Sequence, residues 1–85
     1  MKYTIEIMPK AVKDLKVFPK TQVQKIITAI NGLEKDLVGD IKRLTNHTPE
    51  YRLRVGNYRV LFEVEDTRVI IYRVLDRKDA YRFGG

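Results

Sequence analysis

Hydrophobic and polar positions along the first half of the chain predict one strand followed by two helices. Residues 2–8 alternate between apolar and polar side chains, as a half-buried strand does, and Pro9 ends the pattern. Apolar residues recur at helical spacing in residues 10–17 and, after a break at Pro19, in a second stripe: Val23, Ile26, Ile27, Ile30 and Leu33. The second helix is predicted to take Thr21 as its N-cap.

The second half predicts a sheet built from hairpins. The periodicity fades in residues 38–49, where Gly, Asp, Asn, Thr and Pro indicate a loop from which Ile41 and Leu44 can tuck inward. Two-residue turns then separate successive strands, and Gly56-Asn57 gives the stronger hairpin signal. Three strand-like runs are predicted before a polar tail: Tyr51–Val55, Tyr58–Glu65 and 68–75.

This order of elements predicts an α+β fold in a single domain over residues 1–85. We expect a small β-α-α-β-β-β domain, with an antiparallel-rich four-stranded sheet and two helices packed on one face. The chain has no Cys, which excludes disulfides, Cys-based metal sites and cysteine nucleophiles. Its apolar runs are strand-sized and no secretory segment is visible, so we expect a cytoplasmic protein without membrane contact.

The distribution of charge points to an anionic partner for the second half. The formal net charge is +6, from 17 Lys and Arg against 11 Asp and Glu. Residues 1–40 contain seven Lys and no Arg, whereas residues 41–85 contain all eight Arg and two Lys. Because the planar guanidinium of Arg matches phosphate oxygens better than an ammonium does, anion binding is expected after residue 40.

Strand parity separates an apolar face from an arginine face. The two residues that flank a two-residue turn point to the same side of a hairpin, and side chains alternate outward from there. The face directed at the helices is then Leu53, Val55, Tyr58, Val60 and Phe62. The opposite face is Arg52, Arg54, Arg59, Leu61 and Glu63, with Arg54 directly across from Arg59.

Two like charges opposed across a ladder are unfavourable by a few tenths to about 1 kcal/mol. The arrangement is explained if a phosphate lies between Arg54 and Arg59. A solvated face neutralised by Glu63 and Glu65 explains it equally well on charge alone. With a two-residue second turn, Ile70, Tyr72 and Val74 join this face, and a concave surface with an aromatic floor and an arginine rim suits a nucleotide.

Other candidate groups carry weaker signals. His47, the single histidine, lies in the predicted loop and fits a loop residue better than a general base. Asp76 and Asp79 flank Arg77 and are expected to orient it or to pair with Lys78. The carboxylates show no metal-ligand spacing and no glycine-rich phosphate loop is present, so no metal or other cofactor is expected.

Two runs carry a resemblance to a known family. They are Tyr51-Arg52-Leu53-Arg54-Val55-Gly56-Asn57-Tyr58-Arg59-Val60-Leu61-Phe62, with Leu44 before it, and Tyr72-Arg73-Val74-Leu75-Asp76-Arg77-Lys78-Asp79-Ala80-Tyr81. Both resemble the RelE/ParE superfamily of bacterial toxins. The first strand, the two helices and the order of elements are similar too, so the resemblance covers essentially the whole chain.

The RelE branch implies a toxin of a type II toxin–antitoxin system that cleaves mRNA in the ribosomal A site. In the implied reaction the ribose 2′-OH attacks the adjacent phosphate without a metal, leaving a 2′,3′-cyclic phosphate and a 5′-OH. The resemblance makes Arg52 and Arg54 the basic pair that grips and activates the substrate, and Arg59 the group that stabilises the transition state. Arg77 is expected to help protonate the leaving group and Tyr81 to stack on or orient the nucleotide.

Further RNA contacts are expected from Tyr72, Lys78 and Arg82. The general base stays open, because an arginine cannot usefully lose its proton near neutral pH. Asp76 stands where many relatives have His, which weakens a His-based scheme. Tyr81, Lys78, His47 and solvent therefore all remain candidates for the proton acceptor.

Two rival functions and one partner complete the expectations. The ParE branch inhibits DNA gyrase by binding, without cleaving RNA, and Arg59, Arg77 and Tyr81 together favour RelE over it. A plain RNA- or ribosome-binding module needs only the net charge and the arginine face. The resemblance also implies a RelB-like antitoxin, which would place acidic side chains on the arginine face and block RNA.

Overall fold

The computed structural model describes residues 2–80 and shows a five-stranded sheet with helices. The elements in chain order are β1 (Thr4–Ile7), α1 (Pro9–Lys16), α2 (Lys20–Gly32), β2 (Asp40–Arg43), β3 (Tyr51–Val55), β4 (Tyr58–Glu65), β5 (Arg68–Asp76) and α3 (Arg77–Ala80). The strand order is β1-β5-β4-β3-β2, with β1 parallel to β5 and the other pairs antiparallel. No helix within residues 2–80 is long and apolar enough to cross a membrane.

The α+β prediction is confirmed, but the sheet has five strands rather than four. Residues 40–43, predicted as loop, form the edge strand β2 and pair with β3, where Ile41 lies beside Leu53. Only Ile41 of this strand packs against the core, so its sequence has no extended alternation to reveal it. The pairing is favourable because it satisfies backbone N–H and C=O groups of β3.

Helix α2 begins two residues earlier than predicted. Its N-cap is Pro19 rather than Thr21, and the Pro19 carbonyl accepts hydrogen bonds from the N–H groups of Gln22 and Val23. The extended backbone of Pro19, with φ −59° and ψ 143°, suits a residue that ends one helix and starts another.

The main core lies between the helices and the apolar sheet face, as predicted. The register of the β3–β4 hairpin is the predicted one, with Val55 beside Tyr58 and Arg54 beside Arg59. The buried residues of the main core come from both the helices and the sheet: Ala11, Ile26, Ile30, Leu33, Leu53, Val60, Phe62, Val69, Ile71 and Val74. Burial of these side chains is the main source of stability in a chain this small.

A β-bulge interrupts the pairing of β4 with β5. Phe62 lies beside Ile71 but Leu61 lies beside Arg73, which leaves Tyr72 as an extra residue. The prediction that Val74 lies on the arginine face is therefore wrong: Val74 is in the main core and Leu75 faces the other way, beside Arg59. Ile70, before the bulge, lies beside Glu63 as predicted.

Asp14 of α1 binds the residues that follow the bulge. Its Oδ2 accepts hydrogen bonds from Arg73 Nε at 2.8 Å and from the Val74 N–H at 2.9 Å, and its Oδ1 accepts one from Arg73 Nη2 at 3.0 Å. The side chain of Asp14 is only 15% exposed. The hydrogen bonds that Arg73 donates to Asp14 raise the pKa of Arg73 above its ordinary value, so the guanidinium keeps its charge.

Removing this carboxylate is expected to destabilise the fold. Asp14→Ala removes the acceptor of three hydrogen bonds, two from Arg73 and one from the Val74 N–H, and we expect a loss of about 2–3 kcal/mol in the free energy of unfolding. Glu6→Ala is the control, because Glu6 also binds an arginine (Arg68) but on the surface, where such pairs contribute about 1 kcal/mol or less. Urea unfolding measures both, and equal losses would contradict a special role for Asp14.

Candidate functional site

Three arginines converge on one cleft at the β3–β4 turn. Its lining residues, here called the arginine cleft, are Asp40, Arg54, Gly56, Asn57, Arg59 and Arg77. The cleft has a volume of about 590 Å³, within the range of small-molecule binding sites. Three of the four residues predicted to be catalytic thus line the same cleft, and the fourth, Tyr81, lies outside the described residues.

The hairpin turn shapes one wall of the cleft. Gly56 has φ +57°, a conformation that glycine adopts without a steric penalty in two-residue turns. The Nη1 of Arg59 donates hydrogen bonds to the carbonyl oxygens of Gly56 and Tyr58, both at 3.0 Å. These two contacts hold the Arg59 guanidinium against the turn.

Helix α3 brings the third arginine to the same turn. The Arg77 N–H donates a hydrogen bond to the Asn57 carbonyl at 2.7 Å, which fixes the start of the helix beside the hairpin. Asp76 Oδ1 accepts the Lys78 N–H at 3.0 Å and so caps the helix, instead of pairing with the Lys78 side chain. The polar tail predicted from residue 76 therefore begins with an ordered helical turn.

A small apolar cluster, here called the leucine cluster, anchors α3 on the sheet. It consists of Leu44, Leu61, Leu75 and Ala80, all buried. Leu61 and Leu75 are on the arginine side of the sheet, so this face is partly covered rather than open. The cluster also explains why Leu44, from the segment after β2, tucks inward as predicted.

One carboxylate lies among the arginines of the cleft. Asp40 Oδ2 is 2.5 Å from Arg54 Nε, and Asp40 Oδ1 is 3.9 Å from Arg52 Nη2. The sequence reasoning missed Asp40 because it placed this residue in a loop. The only available signal was the brief alternation of Asp40, Ile41 and Lys42, in which the central residue alone is apolar.

The other predicted residues lie elsewhere. Tyr72 lines a separate depression of about 330 Å³ with Leu61, Glu63 and Arg73, so it does not form the floor of the arginine cleft. His47 has its Nδ1 2.9 Å from the Pro49 carbonyl; because a carbonyl only accepts, this nitrogen donates. Lys78 is exposed on α3, and the predicted Arg82 lies outside residues 2–80.

Within residues 2–80, the charged groups that line the cleft are three guanidinium groups and one carboxylate. Among the described residues, no group of three or more His, Cys, Asp or Glu side chains could hold a metal ion. Fixed guanidinium groups are suited to the non-bridging oxygens of a phosphate and to negative charge that develops on them.

The sequence is also similar to that of known toxins. Residues 5–81 match the family described as "ParE toxin of type II toxin-antitoxin system, parDE". Toxin RelE3 of Methanocaldococcus jannaschii is 39% identical over 77 residues, which cover 85% of this chain and 88% of that protein. The chain belongs to the RelE/ParE superfamily of type II toxins.

Solved structures of relatives share the fold. The toxin resembles a chain in the RelB–RelE antitoxin–toxin complex from Methanococcus jannaschii, with a TM-score of 0.76 and 34% identity. The match covers 94% of this chain and 99% of that one. A chain of the RelBE2 complex from Mycobacterium tuberculosis gives a TM-score of 0.78 at 26% identity, covering 91% of the toxin and 100% of that chain.

The residue before Asp40 is expected to tolerate no side chain. Gly39 has φ +137°, and a Cβ built there would lie 2.8 Å from Leu53 Cδ1 in the core. We expect Gly39→Ala to cost about 1–3 kcal/mol in stability, because both the backbone and Leu53 must shift. Gly32→Ala is the control: nothing lies within 4 Å of its Cβ, so we expect a neutral or slightly stabilising effect. Thermal unfolding compares the two, and a tolerated Gly39→Ala would show that the backbone at the start of β2 can relax.

Proposed function

We propose that this toxin is a ribosome-dependent endoribonuclease of the cytoplasm that cleaves mRNA in the ribosomal A site and so inhibits translation. The observation that carries the proposal is the convergence of Arg54, Arg59 and Arg77 on one cleft. Three cations on a small, fixed surface cost repulsion, and a phosphodiester that binds there offsets it.

In the proposed reaction the chain supplies electrostatic stabilisation. The ribose 2′-oxygen attacks the adjacent phosphorus, its proton leaves, and the bond from phosphorus to the 5′-oxygen breaks. The products are a 2′,3′-cyclic phosphate and a 5′-OH. Arg54 and Arg59 stabilise the negative charge that builds on the non-bridging oxygens, Arg52 grips the backbone beside them, and Arg77 assists protonation of the 5′-oxygen.

The proton acceptor is not an arginine. His47 lines a different depression, beside Arg43 and Glu50, so it is a poor candidate in this arrangement. Tyr81, which the proposal also uses to stack on the nucleotide, and Lys78 follow the cleft closely in sequence. Solvent is the third candidate acceptor.

A RelB-like antitoxin is the proposed cellular partner. The Methanococcus jannaschii and Mycobacterium tuberculosis relatives were both solved in antitoxin–toxin complexes. Acidic side chains of such a partner would match the charge of the arginine cleft and compete with RNA for it.

The second candidate function is inhibition of DNA gyrase by binding alone. It is favoured by the family match itself, which is to the ParE toxin over residues 5–81. A third candidate, an RNA- or ribosome-binding module without chemistry, requires only the basic surface. Neither candidate uses the transition-state stabilisation that three converging guanidinium groups offer.

Cleavage of a defined mRNA in a translation extract tests the proposal. With ribosomes present, we expect cuts within A-site codons, mapped by primer extension, and we expect Arg59→Ala and Arg77→Ala each to reduce the rate about 100-fold or more. Arg68→Ala is the matched control, because Arg68 is also a half-exposed arginine of the sheet but pairs with Glu6 and Glu65 away from the cleft. Its rate should match that of the unmodified protein.

Two other outcomes would redirect the assignment. Intact mRNA from a protein that is still toxic in cells would contradict the nuclease and favour gyrase, which a supercoiling assay would then examine. Salt-dependent ribosome binding without any cleavage would favour the plain binding module.

A further inference from the structure

One residue that lines the arginine cleft, Asp40, carries a carboxylate. The strand register places Asp40 beside Arg54, and Arg54 beside Arg59, in one row across three strands. Asp40 Oδ2 lies 2.5 Å from Arg54 Nε, so the two side chains form an ion pair. An anion that enters the cleft therefore meets a guanidinium that already has a negatively charged partner.

A carboxylate and a phosphate compete for the same donors of a guanidinium. The Arg54 guanidinium cannot pair closely with both, and Asp40 also repels any second anion beside it. We propose that Asp40 is an internal competitor of the bound phosphodiester and sets the affinity of the cleft for RNA. The choice of RNA as the ligand rests on the proposed function, whereas the competition rests only on the position of Asp40.

The contact with Arg54 is not needed to hold β2 in place. All four residues of β2 pair with β3 through the backbone, and Ile41 packs against the main core. The side chains of Arg54 and Asp40 are 56% and 44% exposed, and ion pairs this exposed contribute little to stability. The same exposure allows the Asp40 carboxylate to turn into water when another anion takes Arg54.

The charged residues around Asp40 confine its competition with a bound phosphate to this cleft. The next outward-facing residue of β2 is Lys42, which lies beside Arg52, so the neighbouring row of the sheet is entirely basic at this edge. Asp40 is the one carboxylate among the described residues that line the arginine cleft. Removing its charge therefore changes the cleft from partly neutralised to fully cationic.

Binding measurements on the intact protein test the proposal with two probes. A single-stranded 2′-O-methyl RNA, which cannot be cleaved, is followed by fluorescence anisotropy, and inorganic phosphate is followed by NMR of the arginine Nε–H groups. We expect Asp40→Asn to bind both probes roughly three- to tenfold more tightly than the unmodified protein, with little change in Tm. In the Arg54→Gln background, Asp40→Asn should give a clearly smaller gain, because the competition for Arg54 is absent and only the repulsion of the incoming anion is relieved.

Glu65→Gln is the matched control variant. This substitution also removes one negative charge. Glu65 also pairs with a half-exposed arginine, Arg68, but it lies at the opposite end of β4 from the cleft. We expect its affinities to stay within twofold of those of the unmodified protein, which separates local competition from net charge.

Unchanged or weaker binding of phosphate by Asp40→Asn would overturn the proposal, since Asp40 would then support Arg54 rather than compete for it. An equal gain in Glu65→Gln would overturn it as well. If no variant binds the free RNA, the cleavage assay with ribosomes still decides the proposed function, and the phosphate titration decides whether Asp40 competes.

Discussion

The hydrogen bonds from Arg73 and Val74 to Asp14 stabilise β5 just after its bulge, and the placement of Leu75 and α3 depends on that part of the strand. The bulge inserts Tyr72 and thereby reverses the faces of the remaining strand residues, so that Leu75 points to the arginine side. There Leu75 joins the leucine cluster, which seats α3 and its first residue, Arg77, beside the hairpin turn. A carboxylate on the first helix thus positions an arginine on the other side of the sheet.

The second constraint is the repulsion between Arg54 and Arg59, and the chain relieves it in two different ways. Arg54 has the carboxylate of Asp40, whereas Arg59 bonds carbonyl oxygens of the turn. Both contacts place an oxygen beside a guanidinium group. These two kinds of contact differ in charge, because a carbonyl oxygen carries no net negative charge and a carboxylate does.

The sequence predicts those features that depend on neighbouring residues and fails where distant ones decide. The hairpin register follows from Gly56-Asn57 and strand alternation, so the opposition of Arg54 and Arg59 could be predicted. The bulge could not, because the acceptor for the Val74 N–H comes from Asp14, 60 positions away. Strand β2 could not be predicted, because a single core-facing residue gives no detectable alternation. The place of Asp40 in the cleft could not be predicted for the same reason.

The cleft also bears on whether this fold binds or catalyses, since members of one superfamily can do either. A binding inhibitor needs only attraction in the ground state. A nuclease needs stronger attraction in the transition state. When the 2′-oxygen attacks, negative charge accumulates on the phosphate oxygens, so fixed guanidinium groups gain more from the transition state than from the bound substrate. Two carbonyl oxygens of the turn hold the Arg59 guanidinium, and the Asn57 carbonyl holds the backbone of Arg77, before any ligand arrives; this preorganisation is what the proposed nuclease requires and a binding inhibitor does not.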